Sequence, residues 1–330
     1  MSNTGIRILS EQDIRKALPM REAIAVMKEA FVELSARRVK MPLRTHIDSS
    51  DPVGTALFMP CYADHFGRFG LKVVTLFDGN VVKGLPRIQA LVCLFDGQSG
   101  SPLALLNGTY LTALRTGAAS GVATDLLTRP EVSTVAIFGA GIQGRTQLEA
   151  VCAVRPVRRA FVYDPVTEAA SRYADEMSHV LGIEVTSVTS PRQALCNADV
   201  VCVATVSKTP VFEDADLPSN IHINAVGSYK PDVQEIPAET VRRAFVVVDH
   251  HTSALAETGD LIIPIRNGII KESDICVELG EIAAGKVTGW SSEKGITLFK
   301  SVGLAIQDLA AAARAFEKAS QNDLGQLVDL

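Results

Sequence analysis

The chain predicts an α/β fold, a Rossmann doubly wound parallel sheet plus a discontinuous α+β domain. Three observations carry this expectation. From about residue 119 onward, short apolar strands alternate with helical segments, the pattern of repeated β-α units around a parallel sheet. The first of those strands runs directly into Gly139-Ala140-Gly141-Ile142-Gln143-Gly144. Ahead of it, one amphipathic helix is followed by extended stretches punctuated by Gly and Pro, which reads as an antiparallel or mixed sheet.

The early helix is placed over Pro19–Arg37. Met20, Ile24, Met27, Phe31 and Leu34 recur there at three- and four-residue steps and mark one apolar face. The extended stretches are 56–62, 70–77, 88–95 and 103–106. In the second region the strands are expected at 134–138, 160–163, 185–188, 200–204, 222–226 and 245–248, with helices over 143–154 and 167–181. Their Val, Ile and Ala content suits strands buried on both faces. A last helical pattern over 301–318 folds back on the first region, so the expected division is 1–118 with 307–330 against 119–306.

Bulk properties narrow the function classes. A net charge of −5 gives no electrostatic footprint for nucleic acid. No apolar run reaches the ~18 residues that would signal a membrane span, and the N-terminus shows no signal-peptide segment. The cysteines are Cys61, Cys93, Cys152, Cys196, Cys202 and Cys276; no two form a C-x-x-C pair, so a reduced, cytoplasmic chain is expected. No Cys/His set has metal-ligand spacing, and His250-His251 at a strand end would point to opposite sides; no metal is expected.

The glycine loop has the strand–turn–helix context that a bare GxGxxG lacks. Gly139 makes the tight turn, Gly141 admits the pyrophosphate to the backbone, and Gly144 lets helix and strand pack closely. Ala140, Ile142 and Gln143 complete the loop, whose amides and helix dipole favour phosphate. Asp164 ends the next strand about 20 residues past Gly144, where an acid accepts ribose hydroxyls and repels a 2′-phosphate. NAD(H) is therefore favoured over NADP(H). Arg172 is the counter-argument, since it could reach a 2′-phosphate. A glycine-rich turn without a ligand is the alternative reading.

The stretches Pro42-Leu43-Arg44-Thr45, Gly70-Leu71-Lys72-Val73-Val74, Thr112-Ala113-Leu114-Arg115-Thr116-Gly117-Ala118, Asn224-Ala225-Val226-Gly227 and Phe299-Lys300-Ser301-Val302-Gly303-Leu304-Ala305-Ile306-Gln307-Asp308 lie mostly outside the glycine loop. Together, in order and with similar spacing, they resemble the ornithine cyclodeaminase/mu-crystallin family across almost the whole chain. The resemblance implies a homodimer joined through the non-Rossmann domain, which would also bind the substrate. It places Arg44, Lys72 and Arg115 around the carboxylate of a small imino or amino acid. Three cations suit that task through charge-assisted hydrogen bonds, although any one of them alone could be a surface charge. Arg115 could also reach the cofactor phosphates. The resemblance puts Thr205, Val226, Gly227, Ser228 and Ser301 against the cofactor.

The chain departs from the cyclodeaminases at two acids. Tyr229 stands where those enzymes carry an Asp after Val-Gly-Gly, and Leu57 stands where they carry a carboxylate before Met-Pro. A distal ammonium buried without a carboxylate would be poorly compensated. The Ser228-x-x-Pro231-Asp232-x-x-Glu235 run instead is similar to the ketimine-reductase branch. The expectation is NAD(P)H-dependent reduction of a cyclic ketimine such as Δ1-pyrroline-2-carboxylate or Δ1-piperideine-2-carboxylate, giving L-proline or L-pipecolate. An alanine-dehydrogenase-type activity, ornithine cyclodeamination and a non-catalytic NAD(P)H-binding protein are the alternatives, in that order. Lys72 or a water would protonate the imine. His46 is a second proton-donor candidate set against a structural role, and Asp232 reads either as a turn residue or as an acid near the substrate.

Overall fold

The computed structural model describes residues 5–51, 53–275, 277–291 and 295–329; Cys276, counted above among the reduced thiols, lies outside them. In chain order the elements are β1 (Ile6–Leu9), α1 (Glu11–Ala17), α2 (Met20–Ser35), β2 (Val39–Lys40), β3 (Thr45–Ser50), β4 (Val53–Ala63), β5 (Arg68–Leu76), β6 (Ile88–Asp96), β7 (Pro102–Asn107) and α3 (Gly108–Leu127). Then follow β8 (Thr134–Phe138), α4 (Ile142–Val154), β9 (Arg159–Tyr163), α5 (Thr167–Leu181), β10 (Glu184–Ser187), α6 (Pro191–Leu195), β11 (Val200–Val203) and β12 (Ile221–Ala225). The rest is α7 (Ala238–Arg243), β13 (Phe245–Val248), α8 (His251–Glu257), α9 (Gly259–Arg266), β14 (Val277–Glu278), α10 (Leu279–Ala283), β15 (Ile296–Lys300), α11 (Ala305–Gln321) and β16 (Gln326–Val328). No described helix is long and apolar enough to cross a membrane.

The chain forms two compact units, Met1–Arg115 with Leu304–Leu330, and Thr116–Gly303. The first is discontinuous because α11 packs on α2 and on β4, β5 and β6. Its sheet runs β16-β1-β7-β6-β5-β4-β2, with β3 also paired to β4. The β4–β7 part is an antiparallel meander, while β1 lies parallel to β7. Strand alternation sorts side chains cleanly. Leu57, Met59, Cys61, Val74, Val92, Leu94, Ala104 and Leu106 are buried on one face. At Gly70 helix α11 comes close, and a Cβ would meet Leu309 Cδ1 at 2.9 Å. The other face carries Phe58, Phe69, Leu71, Leu91, Cys93 and Leu105, which are only half-buried or exposed.

The second unit is an eight-stranded parallel sheet in the order β10-β9-β8-β11-β12-β15-β13-β14. Strands β8, β11, β12 and β15 are buried at every position, as their near-continuous apolar runs require. The chain moves outward from β8 through β9 to β10, then returns to the other side of β8 with β11. That reversal is the topological switch point at which open α/β sheets bind ligands.

Three expectations change. The last helix begins at Ala305, not Ser301, because Ser301 Oγ and the amides of Val302 and Gly303 turn to the Asp249 carboxylate and Gly303 takes a φ of 78°. His250 and His251 do not end a strand: His250 is the N-cap of α8 and His251 its first residue. The 20-residue α3 was not foreseen. It has no polar stripe because almost its whole circumference is buried, and a helix buried all round shows no amphipathic period. Asn224 donates to Thr124 Oγ1 of α3 at 3.0 Å, and His222 joins Asn224 to Thr297. Burial drives the His222 imidazole down to about 3, so it remains neutral in this network.

Gly117 of α3 lies so near α4 that a Cβ would meet Thr146 O at 2.4 Å. A Gly→Ala change inside a helix normally gains about 1 kcal/mol in propensity. Here Gly117→Ala is expected to lose about 1–3 kcal/mol net, because the clash is with backbone. Chemical denaturation of the variant against the parent checks the sign.

Candidate active site

The glycine loop is built as a phosphate turn needs. Gly139 has a φ of 99°, and a Cβ there would meet Ala204 O at 2.5 Å. Gly144 abuts Gly139 O, where a Cβ would fall 2.2 Å away. Gly141, the N-cap of α4, is different: a Cβ there would meet nothing within 4 Å. The loop is thus closed by two glycines and open at the third, which leaves room for an approaching ligand. Ala140 is buried, Ile142 is exposed and Gln143 half-buried. The amide of Ala140 donates to Asp164 Oδ2 and that of Val166 to Oδ1, both at 2.9 Å. Asp164 is therefore oriented beside the loop with acceptor capacity remaining on each oxygen. Arg145 braces the loop by donating to Ala140 O at 2.7 Å while paired to Glu176. Arg172 is exposed.

Thr205, Val226 and Gly227 follow the C-terminal ends of β11 and β12, the edge that carries ligands in such sheets. Thr205 gives its amide and hydroxyl to Glu235. The hydroxyls of Ser228 and Ser301 are engaged within the protein. Both residues are buried; Ser228 Oγ bonds Val233 O at 2.6 Å and Thr258 Oγ1 at 2.9 Å, and Ser301 Oγ bonds Asp249 at 2.8 Å. These side chains hold loops, which leaves the main chain as their route to a cofactor. Asp232 is an exposed corner of a turn in which Val233 N donates to Lys230 O at 3.2 Å, so its turn reading prevails.

In the first unit, Lys72 and Arg115 meet on one acid. Lys72 Nζ lies 2.7 Å from Asp308 Oδ2, and Arg115 Nε 3.0 Å from Oδ1. Arg115 Nη1 donates to Gln307 Oε1 at 2.8 Å. The three charged side chains are almost wholly buried. Strand register explains the surroundings of Lys72: its direct neighbours are Met59 on β4 and Val92 on β6. Burial among them lowers the Lys72 ammonium to about 7; Asp308 opposes that shift, while Arg115 and Arg44 add to it. Arg44 is half-buried and close enough to be felt electrostatically at Lys72. Arg115 has committed Nε and Nη1 to α11, so the fork proposed for cofactor phosphates is reduced to Nη2. His46 sits opposite Leu57, and so on the sheet face of Lys72, but it is exposed. Leu57 is buried on that same face.

Asp308 and Gln307 went unassigned in the sequence, although they end the Ser-Val-Gly-Leu-Ala-Ile-Gln-Asp stretch. The available signal was two adjacent polar residues directly ahead of the apolar run 309–313. Asp249, Glu235, Asp260 and Lys300 were missed as well. Asp249 and Lys300 follow or end buried strands, where a polar residue faces the ligand edge. Among the described residues no group of three His, Cys, Asp or Glu side chains could hold a metal ion.

The sequence profile of one family matches residues 6–323. The chain belongs to the ornithine cyclodeaminase/mu-crystallin family. A Delta(1)-pyrroline-2-carboxylate reductase from Bacillus cereus is 40% identical over 323 residues, which cover 98% of this chain and 99% of the relative. Among solved structures, the Delta(1)-pyrroline-2-carboxylate reductase of Thermococcus litoralis, in complex with NADH and L-proline, superposes with a TM-score of 0.94 at 44% identity, over 97% of this chain and 99% of that one. An archaeal alanine dehydrogenase dimer with bound NAD gives 0.91 at 32% identity, over 98% and 99%.

Removing the shared acid should expose what it holds. Asp308→Asn leaves two buried cations facing each other without a carboxylate, and breaking a buried pair from one side costs about 3–5 kcal/mol. Urea unfolding should report a loss of that order, whereas an unchanged midpoint would mean the pair contributes nothing to the fold.

Proposed function

We propose that this protein is an NAD(H)-dependent reductase of cyclic ketimine carboxylates, with Δ1-pyrroline-2-carboxylate as substrate and L-proline as product. The observation that carries the reading is Lys72: a buried ammonium, near neutrality in acidity, held by Asp308 between the apolar strand neighbours Met59 and Val92. The full-length relatives named for this reaction support it. Ornithine cyclodeamination lacks a comparable feature. Leu57 and Tyr229 replace the acids that a cyclodeaminase turns on a distal amine, and an ornithine ammonium next to buried Leu57 would lose its water without gaining a counter-charge.

Arg115 and Arg44 bind the substrate carboxylate, with Arg115 aligned by Asp308 and Gln307. Lys72 holds a proton for the imine nitrogen. An ammonium whose acidity matches the working pH transfers a proton at low cost in either direction. Leu57 and Met59 exclude water from the ring, which sharpens the electrostatics around Lys72. When bound, NADH supplies the hydride that the imine carbon accepts. The glycine loop, open at Gly141, fits the pyrophosphate, and Asp164 fits the ribose hydroxyls. The half-exposed apolar face of the first unit's sheet, with Phe69, Leu71, Leu91 and Leu105, is the surface on which two copies pair; the archaeal relative is described as a dimer. The free cysteines Cys61, Cys93, Cys152, Cys196 and Cys202 accord with a cytoplasmic enzyme.

The test is loss of NADH absorbance on addition of Δ1-pyrroline-2-carboxylate, with alanine plus NAD and ornithine plus NAD as parallel wells. Turnover only in the ornithine well, with proline and ammonia formed, would overturn the reading. Lys72→Met should lower kcat by about 100- to 10,000-fold, the range of a positioned acid. Below about 7 Lys72 carries its proton, and above it the proton is lost. Imine reduction should therefore decline as pH rises through that point, and a kcat profile rising instead would exclude Lys72 as the donor. Replacing Asp164 by Ser should narrow the preference for NADH over NADPH by tenfold or more, about 1.4 kcal/mol in the ratio of kcat/KM values, by removing a charge that repels the 2′-phosphate.

A further inference from the structure

The C-terminal edge of the parallel sheet contains a second buried charge cluster that the reaction above does not use. Asp260 of α9 and Lys300 at the end of β15 pair at 2.8 Å with no exposure of either side chain. Asp260 Oδ1 also accepts the amides of Glu235 and Ile236, at 2.6 and 3.0 Å. Those two charges offset each other. Glu235 is a third, also fully buried, and it is the surplus carboxyl of the group.

Glu235 is divided between two loops. Its Oε1 accepts from both the amide and the hydroxyl of Thr205, just past β11. Its Oε2 is buried without a hydrogen-bond partner among the described residues. That oxygen lies against Gly227, just past β12, where a Cβ would fall only 2.1 Å from it. Thr205 and Gly227 thus end neighbouring central strands and touch one carboxyl between them. Burial raises this carboxyl to about 7; Lys300 acts against that shift and Asp260 adds to it. Around neutral pH the cluster therefore gains a negative charge that has no cation of its own. The two redox states of a nicotinamide differ in this respect: the oxidised ring is a cation and the reduced ring is neutral.

We propose that Glu235 is a positioning residue that sets the Thr205 and Gly227 loops, and that its carboxylate biases this edge of the sheet toward the oxidised, cationic nicotinamide. The proposal rests on the cofactor reading of the glycine loop. It makes product-cofactor release slower as Glu235 ionises, and so adds a dependence on pH that is separate from the proton held by Lys72.

The experiment measures dissociation constants for NADH and for NAD separately, without substrate, by NADH fluorescence and titration calorimetry between pH 5.5 and 9. In the unaltered protein, NAD binding should strengthen relative to NADH by about tenfold on passing upward through neutrality, the effect of one unit charge at a distance of several ångströms in a poorly screened site. Glu235→Gln keeps an acceptor for Thr205 but no charge. It should bind NADH within about threefold of the parent at the acidic end, a difference of under about 1 kcal/mol, and show a flat ratio throughout. A flat ratio in the unaltered protein, or the same slope in Glu235→Gln, overturns the proposal even if that variant is less stable. Failure of either dinucleotide to bind the unaltered protein would overturn the reductase reading as well, so the two failures are distinct.

Discussion

The buried carboxylate of Asp308 is the constraint on which the first unit depends. It joins β5, α3 and α11 by holding Lys72 with one oxygen and Arg115 with the other. Two cations side by side, one from β5 and one from α3, would repel each other and could not be buried unpaired. Once the acid is between them, both can stay inside, and Lys72 retains an acidity near neutrality instead of losing its proton altogether. The discontinuity of the unit follows from the same contact, because the acid arrives on a helix near the C-terminus while its partners lie within the first 115 residues. The fold must bring the chain back to complete the site.

The second unit answers a comparable problem with backbone. Three loop segments at the ligand edge are each tied to an acid, Ala140 to half-buried Asp164, Thr205 to buried Glu235, and the 301–303 turn to buried Asp249. An acid that accepts main-chain amides fixes a loop without bulk at its surface, leaving the outer side of the loop free. Gly227 shows the cost of that arrangement, since the carboxyl of Glu235 leaves no room for a side chain there. The same acids stand behind the ligand edge of the sheet, and in the proposed reading Asp164 is the one that selects an unphosphorylated ribose.

Much of this was legible in the chain. Strands β8 and β13 have the bounds expected from their apolar runs, and α5 those of its amphipathic pattern. The glycine loop could be recognised because two of its glycines answer to local geometry, the positive φ at Gly139 and the close approach of Gly144 to Gly139 O. The short β1 and β16 were not legible; each carries too few residues to show a period, and they exist because they pair with β7 and with each other. Helix α3 was hidden by its own burial, and the 301–304 segment passed for helix because nothing nearby in sequence reveals the Asp249 carboxylate that captures its amides.

The sequence by itself determined the alternation of strand and helix, the glycine turn between β8 and α4, and the presence of Arg44, Lys72 and Arg115 in the stretches that mark the family. These are properties of short windows, set by backbone sterics and side-chain period. Only the tertiary structure decided that Lys72 and Arg115 share Asp308, that Ser228 and Ser301 face their own loops, and that Glu235 is buried against Gly227. Charge and acidity inside a protein depend on which groups exclude water from one another, and those groups lie up to hundreds of residues apart along the chain.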